Sequence, residues 1–350
     1  MMMDTKPLYL INSSAPTRIC DNGGWTDTWF AQYGFVFNIA VEPRVYVQIG
    51  VYPRKTFSNQ ITISAENFGD VYRRELGMPW QHHPLIEATI EQIGVPEDVS
   101  LKIHLYSEAP PGASMGTSAA VVVALVGALD CLTAGRYSPY EVAMQAHQVE
   151  TVQLQRQCGI QDQLAAAFGG INFIDMQQYP HAEVSSIRLE EMVLHELERR
   201  LLVVYLGKPH DSSQVHETVI AALEDEGAEA PRLATLRETA VWARNALLAG
   251  NFTELGQAFI ANTEGQRALH PDLINPKAQQ IMDLAQEHQV LGWKVNGAGG
   301  QGGSIALLLD GFAENRHRLR SRLTALKDCD VIQPRLAREG LLRYVWDRSF

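Results

Sequence analysis

The sequence predicts a globular chain of mixed α and β structure, and three observations carry that prediction. β-Branched and aromatic residues crowd the stretch from Leu8 to Tyr52 around an Asn22-Gly23-Gly24 turn. An apolar helical run follows a Pro/Gly turn near residue 112, and helices dominate from about Arg232 to Gln289. The 350 residues are 46% hydrophobic and 20% charged, a balance that fits neither a disordered nor a fibrous chain.

In order along the chain, Arg44 to Ile49 alternates as a half-buried strand should, and Ile61 to Ile63 adds a second strand signal. Leu101 to Leu105 alternates cleanly and runs into Ala109-Pro110-Pro111-Gly112. A helix from about Ser118 to Ala134 is apolar nearly all round and so predicted to be buried. The next helix opens with Ser138 as N-cap and Pro139 in its first position, and is predicted to reach about Gln157. Leu201 to Leu206 reads as a buried strand, Ser304 to Leu309 as another, Arg316 to Leu326 as a helix and Leu341 to Val345 as a last strand. A composition shift over Gln177 to Glu198 places a domain boundary there, giving domains 1–190 and 191–350.

Lys plus Arg is 29 against 40 for Asp plus Glu, a net charge of -11, which argues against gripping nucleic acid or an anionic membrane. Cys20, Cys131, Cys158 and Cys329 are far apart and form no C-x-x-C pair, and no H-E-x-x-H appears among the eleven histidines, so a zinc enzyme is not expected. His82-His83 is most simply a solvated loop. Met1 to Leu10 lacks a signal-peptide core and the longest apolar run, Ala119 to Leu129, is short of the ~18 residues a membrane span needs, so a cytoplasmic chain is expected.

The most informative stretch is Pro110 to Ala120, where small residues stand at every step from Gly112 onward save Met115. Glycines let backbone N–H groups turn toward a ligand, and a long helix starts there with its unpaired N–H groups. This is an anion cradle without the lysine of a Walker loop, and a side chain at Gly116 would obstruct it. The plainer reading is a strand-to-helix turn capped by Thr117 or Ser118. Gly297, Gly299 and Gly302 satisfy G-x-G-x-x-G, but they lead into a strand, whereas a dinucleotide fingerprint opens a helix. A turn that approaches another backbone or a ligand fits better.

Ala15-Pro16-Thr17-Arg18 with Asn22-Gly23-Gly24-Trp25-Thr26-Asp27 supplies a cation, a tight turn, an aromatic plane and a carboxylate, either to hold a polar small molecule or as an ordinary exposed hairpin. Glu150 shares a helix face with Ala143, Ala146 and Leu154. Buried there, it needs a divalent cation, a positive side chain or a nearby arginine. Asp162 follows Gly159 and by itself reads as an N-cap more readily than as a catalyst.

Taken in order, these elements resemble the GHMP small-molecule kinases, the superfamily of galactokinase, homoserine kinase, mevalonate kinase and phosphomevalonate kinase. The resemblance covers most of the chain. The first family motif is similar to Ala15 to Arg18 with its Gly-Gly-x-Thr-Asp continuation, the second to Pro111 to Ala120, and the third to Gly297 to Gly303; the Glu150 to Gly170 stretch is similar to the Glu and Asp region of the sugar kinases. Gly23-Gly24-Trp25-Thr26-Asp27 is most similar to the fucokinase and D-glycero-D-manno-heptose phosphate kinase branch. Met115 and Thr117 stand where Leu and Ser are usual, Gln301 interrupts the third motif, and Trp25 replaces a common Gly.

The resemblance implies an α+β two-domain GHMP kinase fold, with a left-handed β-α-β unit in the first domain and a ferredoxin-like second domain. It implies ATP over Pro111, Gly112, Ala113, Ser114, Met115, Gly116, Thr117 and Ser118, and Mg2+ on Ser118 and Glu150. Asp162 faces the attacked hydroxyl with Arg18 beside it. The acceptor, a monosaccharide or sugar phosphate such as heptose 7-phosphate or a fucose-like sugar, is expected at Gly23, Gly24, Trp25, Asp27, Gly299 and Gly300. A kinase of a non-sugar alcohol such as mevalonate, or a non-catalytic nucleotide and sugar sensor on the same fold, is the alternative, and a homodimer is compatible with either.

Overall fold

The computed structural model describes residues 6–207 and 213–347. Met1 to Thr5, half of the start read for a leader, lie outside the described residues. The first half of the chain contains β1 (Tyr9–Asn22), β2 (Gly34–Pro53), β3 (Ile61–Ala65), β4 (Asp70–Arg74), α1 (Pro84–Ile93), β5 (Val99–Ser107), α2 (Thr117–Leu129), α3 (Pro139–Gln148), α4 (Gln161–Phe168), β6 (Ile171–Gln178) and β7 (His181–Ser186). The second contains α5 (Glu191–Arg200), β8 (Leu201–Tyr205), α6 (Ser213–Glu226), α7 (Pro231–Leu248), α8 (Phe252–Leu269), α9 (Pro276–Glu287), β9 (Gly292–Val295), β10 (Ser304–Leu308), α10 (Ala313–Thr324), β11 (Asp330–Ile332), β12 (Arg335–Leu336) and β13 (Leu342–Asp347). No helix among the described residues is long and apolar enough to cross a membrane.

A nine-stranded sheet forms among the described residues in the order β13-β1-β2-β5-β3-β4, with β6 and β12 also paired to β2 and β7 paired to β6. Its pairs are antiparallel except β3 with β5, the parallel pair that a β-α-β unit requires. Alternation in β5 and in Val45 to Ile49 sends Val45, Val47, Ile49, Leu101, Ile103 and Leu105 inward, onto α2 and its neighbours. The helix α2 is apolar all round because it lies in the middle of that core, with Val122 to Leu129 at most 1% exposed.

The second sheet runs β11-β8-β10-β9, all antiparallel. Counted from β8, that is the 4-1-3-2 order of a ferredoxin-like unit, with α6 to α9 all lying in its first crossover. A separate core joins the two sheets: Ile19, Phe37 and Ile39 from the first, Met115 from the Pro/Gly loop, Leu201, Val203 and Ala306 from the second, and Phe259 from α8. Burial of a large apolar side chain contributes roughly 1.5 to 3 kcal/mol, so this shared core ties the halves firmly. The chain then returns, β12 pairing with β2 and β13 with β1, so residues 335–347 complete the first sheet.

Several sequence expectations change. The helix opened by Ser138, with its capping box to Glu141, ends at Gln148 and gives way to a π-helical turn, Val149–Gln153, instead of reaching Gln157. Neither Thr117 nor Ser118 caps α2: Gly116 is the N-cap, left-handed at φ 70, and no side chain caps the turn. The helix itself stops at Leu129 in a 3-10 turn. The pair His82-His83 does lie in a loop, with His82 exposed, and it has contacts of its own: His82 stacks on Tyr72 and His83 meets Asp70 just before α1. Helix α1, strands β4, β6 and β7, and helix α5 have no counterpart in the sequence reading.

Candidate functional site

At the junction of the two sheets, a cavity of about 210 Å3 is lined by Arg18, Asp21, Gly24, Trp25 and Asp27 of the first motif, Ser118 and Ala119 of α2, Glu150, the 157–163 segment, His216 of α6, and Gly297 and Ala298 of the third motif. Three motifs far apart in sequence thus meet at one place.

The loop before α2 shows why small residues are written there. Gly112, Ser114 and Gly116 have positive φ (73, 54 and 70) while Ala113 and Met115 between them do not, an alternation that turns successive N–H groups to one side. Its carbonyls are occupied by the protein. Tyr205 donates to Pro111 O, Ser304 to Ala113 O, Arg18 Nη1 to Ser114 O and Arg18 N to Met115 O. The N–H groups of Thr117 to Ala119, in the first turn of α2, are left for a ligand by helix geometry. Met115, the exception in the run, is fully buried in the inter-sheet core.

Asp162 lies in the first turn of α4, but Ile160, not Asp162, is the N-cap residue. Its carboxylate is gripped by Arg18 at two points, Nε to Oδ1 at 2.8 Å and Nη2 to Oδ2 at 3.1 Å. Arg18 is 3% exposed and Asp162 keeps 28% of its side chain open. Burial works against the guanidinium, yet Asp162, Asp21 and Asp27 hold its pKa above the ordinary value.

Glu150 is 5% exposed in the π-helical turn. Among the described residues no cation or arginine forms an ion pair with its carboxylate, which accepts a hydrogen bond from the Gln163 amide, 2.9 Å from Oε1. Burial pushes the carboxyl up to about 7. A buried carboxylate with a single neutral donor fits a place for a cation. Among the described residues no group of three or more His, Cys, Asp or Glu could hold a metal alone, so a cation there would take its other ligands from elsewhere.

The turn of the first motif is knitted by Gly24 N to Asp21 O and Thr26 N to Gly23 O. Asp27 projects from it, 3% exposed, accepting the Gln161 N–H at 2.9 Å. Burial pushes its pKa up to about 6, assisted by the nearby Asp162 and Asp21. Trp25 lines the cavity yet is 8% exposed and set edge-on to His216, so its face is largely covered by the protein.

Three expected contacts lie elsewhere. Gly23 is absent from the lining: a β-carbon on it would fall 1.9 Å from Phe35 O, so this glycine permits close packing. Gly299 and Gly300 are tied to the 273–275 loop by Gly300 N to Leu273 O and by Asn275 to Gly300 O, while Gly297 and Ala298 face the cavity in their place.

The sequence reading missed Asp21 and Lys294. Lys294 is 0% exposed, 3.3 Å from Asp21 Oδ1, and Asp21 also accepts the Gly297 N–H at 3.0 and 3.1 Å. Burial pushes the Asp21 carboxyl up, but Lys294, Arg18 and Gly297 together hold it below the usual range. The signal was present: Lys294 sits in a four-residue strand before a glycine turn, where an inward lysine demands a partner.

Residues 83–170 match the family model for the GHMP kinases N terminal domain. The chain is 26% identical over 204 residues to D-glycero-alpha-D-manno-heptose 7-phosphate kinase of Campylobacter jejuni, covering 58% of this chain and 60% of that protein. It is 27% identical over 335 residues to the bifunctional fucokinase/GDP-fucose pyrophosphorylase of Arabidopsis thaliana, 90% of this chain and 31% of that one. To the mevalonate kinase of Pyrococcus furiosus it is 26% identical over 255 residues, 70% of this chain and 69% of that protein. The chain thus spans less than two thirds of the length of the first two. Among solved structures, a D-glycero-D-manno-heptose 1-phosphate kinase from Bacteriodes thetaiotaomicron superposes with a TM-score of 0.75 at 22% identity, covering 95% of this chain and 98% of that one. Residues 83–170 thus match a GHMP kinases N terminal domain, and the chain as a whole is similar in sequence and fold to the kinases named above.

Proposed function

We propose that the protein is an ATP-dependent kinase that phosphorylates a hydroxyl of a sugar. The observation that carries this reading is the Arg18–Asp162 fork, which opens on a cavity flanked by Asp27 on one side and the start of α2 on the other. Phosphoryl transfer asks for positioning and charge neutralisation more than for covalent chemistry, and the site supplies both.

ATP phosphates rest on the free N–H groups at the start of α2, where the helix dipole favours negative charge. Asp27 accepts hydrogen bonds from sugar hydroxyls, which a carboxylate can do twice. Asp162 accepts the hydrogen bond of the attacking hydroxyl and receives its proton, while the hydroxyl oxygen bonds to the γ-phosphorus and the bond to ADP breaks. Arg18 holds Asp162 in line and offsets the charge on the transferring group. Glu150 and Ser118 would hold Mg2+, which when bound neutralises phosphate charge.

The test is an ADP-release screen over monosaccharides, sugar phosphates, mevalonate and homoserine, repeated with Asp162→Asn. A sugar is expected to be turned over, and the variant is expected to lose at least ~10²-fold in kcat with ATP binding retained. Turnover of mevalonate with no sugar accepted overturns the sugar reading. Full turnover by the variant overturns the role of Asp162.

A further inference from the structure

Four charges of alternating sign run from the cavity into the interior. Asp162 meets Arg18 at 2.8 Å, Arg18 Nη2 lies 3.9 Å from Asp21 Oδ2, and Asp21 Oδ1 lies 3.3 Å from Lys294 Nζ. The inner pair is withdrawn from water, with Asp21 1% and Lys294 0% exposed. It also bridges the two sheets, since Asp21 belongs to β1 and Lys294 to β9.

Asp21 does more than balance a lysine. Both its oxygens accept the N–H of Gly297, and Oδ2 accepts the side-chain amide of Gln161, the residue before Asp162. Gln266 reinforces the same turn, accepting from Lys294 Nζ at 3.0 Å and donating to Gly297 O at 2.7 Å. One carboxylate therefore reaches the arginine that grips Asp162, the neighbour of Asp162 in the chain, and the glycine turn that forms the far wall of the cavity.

A buried ion pair is a poor stabiliser, because desolvation offsets most of the attraction and apolar residues of similar volume often serve as well or better. Stability alone therefore does not account for placing one here, against the cavity. We infer that Asp21, paired with Lys294, is a positioning residue for phosphoryl transfer: it fixes Arg18, and through it Asp162, and holds the Gly297 turn against the substrate. This rests on the kinase reading above.

The experiment replaces the pair by apolar residues, Asp21→Leu with Lys294→Met, alongside the near-isosteric Asp21→Asn. The double variant is expected to remain folded, with a melting temperature close to that of the wild type, while kcat falls at least ~10-fold and the KM for ATP changes less than ~3-fold, as expected when a reacting group is misplaced and the nucleotide site is not. A double variant that melts and turns over like the wild type makes the pair merely structural and overturns the inference. Should the double variant not fold, Asp21→Asn decides: reduced kcat in a folded protein supports positioning and unchanged kcat overturns it. A wild type without turnover defeats the kinase reading separately. The positioning claim is then read from a crystal structure of the folded variant, where an unmoved Arg18–Asp162 fork and Gly297 turn overturn it and a displaced fork supports it.

Discussion

The carboxylate of Asp27 occupies the space that a side chain on Gly159 would need: a β-carbon there would lie 2.0 Å from Asp27 Oδ2 and 2.5 Å from its carboxyl carbon. Gly159 has no positive φ, so the glycine is required for room and not for backbone conformation. Gly159→Ala must displace Asp27 from the Gln161 N–H it now accepts. The expected result is a sugar kcat/KM at least ~10-fold lower, since misplacing a binding group by about 1 Å costs up to 10²-fold. ATP affinity, measured by calorimetry, should hold, because the start of α2 is untouched.

Asp27 also predicts a pH dependence. Its pKa is raised by burial to about 6, so the carboxylate takes up a proton as the pH falls through 6 and loses a hydroxyl-accepting oxygen. Sugar kcat/KM should decline by about tenfold per unit more below that point than above it, and Asp27→Asn should lose this added steepness, keeping only the fall that Glu150 contributes from about 7, with a lower plateau. Stability runs the other way. A folded pKa above the unfolded value contributes stability that is full below 3.8 and lost as the pH rises through about 6. Asp27→Asn should therefore raise the urea midpoint relative to wild type at pH 8, and the gain should shrink as the pH falls through 6 and vanish only below 3.8.

Glu150→Gln tests the cation site. The amide keeps the shape and can still meet Gln163, whose Nε2 donates to Glu150 Oε1, so the fold should hold. What goes is a negative oxygen ligand, and Mg2+ is bound through few carboxylates plus substrate phosphates. The expected outcome is a Mg2+ requirement raised at least ~10-fold, with kcat reduced at saturating metal. A Mg2+ titration that overlays that of the wild type would leave Glu150 as a buried structural acid.

Much of this site was legible in the sequence, and the limits have physical reasons. Arg18, Asp27, Glu150, Ser118 and Asp162 stand in motifs whose residue types announce a task, and all five line one cavity. Gly23 and Gly299 stand in the same motifs but pack closely on Phe35 and Leu273, because a glycine's letter does not say whether it clears space for a ligand or for a neighbouring backbone, and the N–H of Gly300 is taken by Leu273 O. The partner of Glu150 could not be read, since the π-helical turn that carries it breaks the helical register assumed for the stripe. Asp21 and Lys294 are 273 positions apart, and only the meeting of β1 with β9 makes them a pair. In the fold, strands with clean alternation were found while α1, β6 and β7 were not. For α1 the cue was Pro84 in its first turn, and the short edge strand β7 lacks the buried alternation of β5.

The surroundings of Gly116 add a second effect to the one expected of a side chain there. A β-carbon there would meet Asp162 Cγ and Oδ2 at 3.3 Å and Arg18 Cγ at 3.4 Å, contacts that are tight without being impossible. The left-handed φ of 70 adds a cost of roughly 1 to 2 kcal/mol for any L side chain. Gly116→Ala should thus press on the fork before it touches phosphate, lowering kcat at least ~10-fold with a smaller rise in the KM for ATP. Steady-state kinetics separate the two, and an effect confined to the KM for ATP would place the side chain against the nucleotide instead.

The charge of the cavity bears on the acceptor. Asp21, Asp27, Glu150 and Asp162 line it, against Arg18 as the sole cation among the described lining residues. Arg18 is already spent, with Nε and Nη2 on Asp162 and Nη1 on Ser114 O, and burial holds His216 toward its neutral form. Asp162 and Asp21 are paired in turn with Arg18 and Lys294, so the acids without a cationic partner are Asp27 and Glu150. A second phosphate dianion would therefore enter a site whose uncompensated groups are these two acids, whereas neutral hydroxyls find acceptors there. Like charges brought together at such a site cost several kcal/mol. Given a free sugar and its phosphate ester at a hydroxyl remote from the one attacked, the free sugar should show a kcat/KM at least ~10-fold higher, as a cost of about 1.4 kcal/mol implies. Added salt should leave that value nearly unchanged, because no charged substrate is being steered. A phosphate ester turned over faster than its parent sugar, with a rate that falls steeply in salt, would reverse this reading and require a cation from outside the described lining.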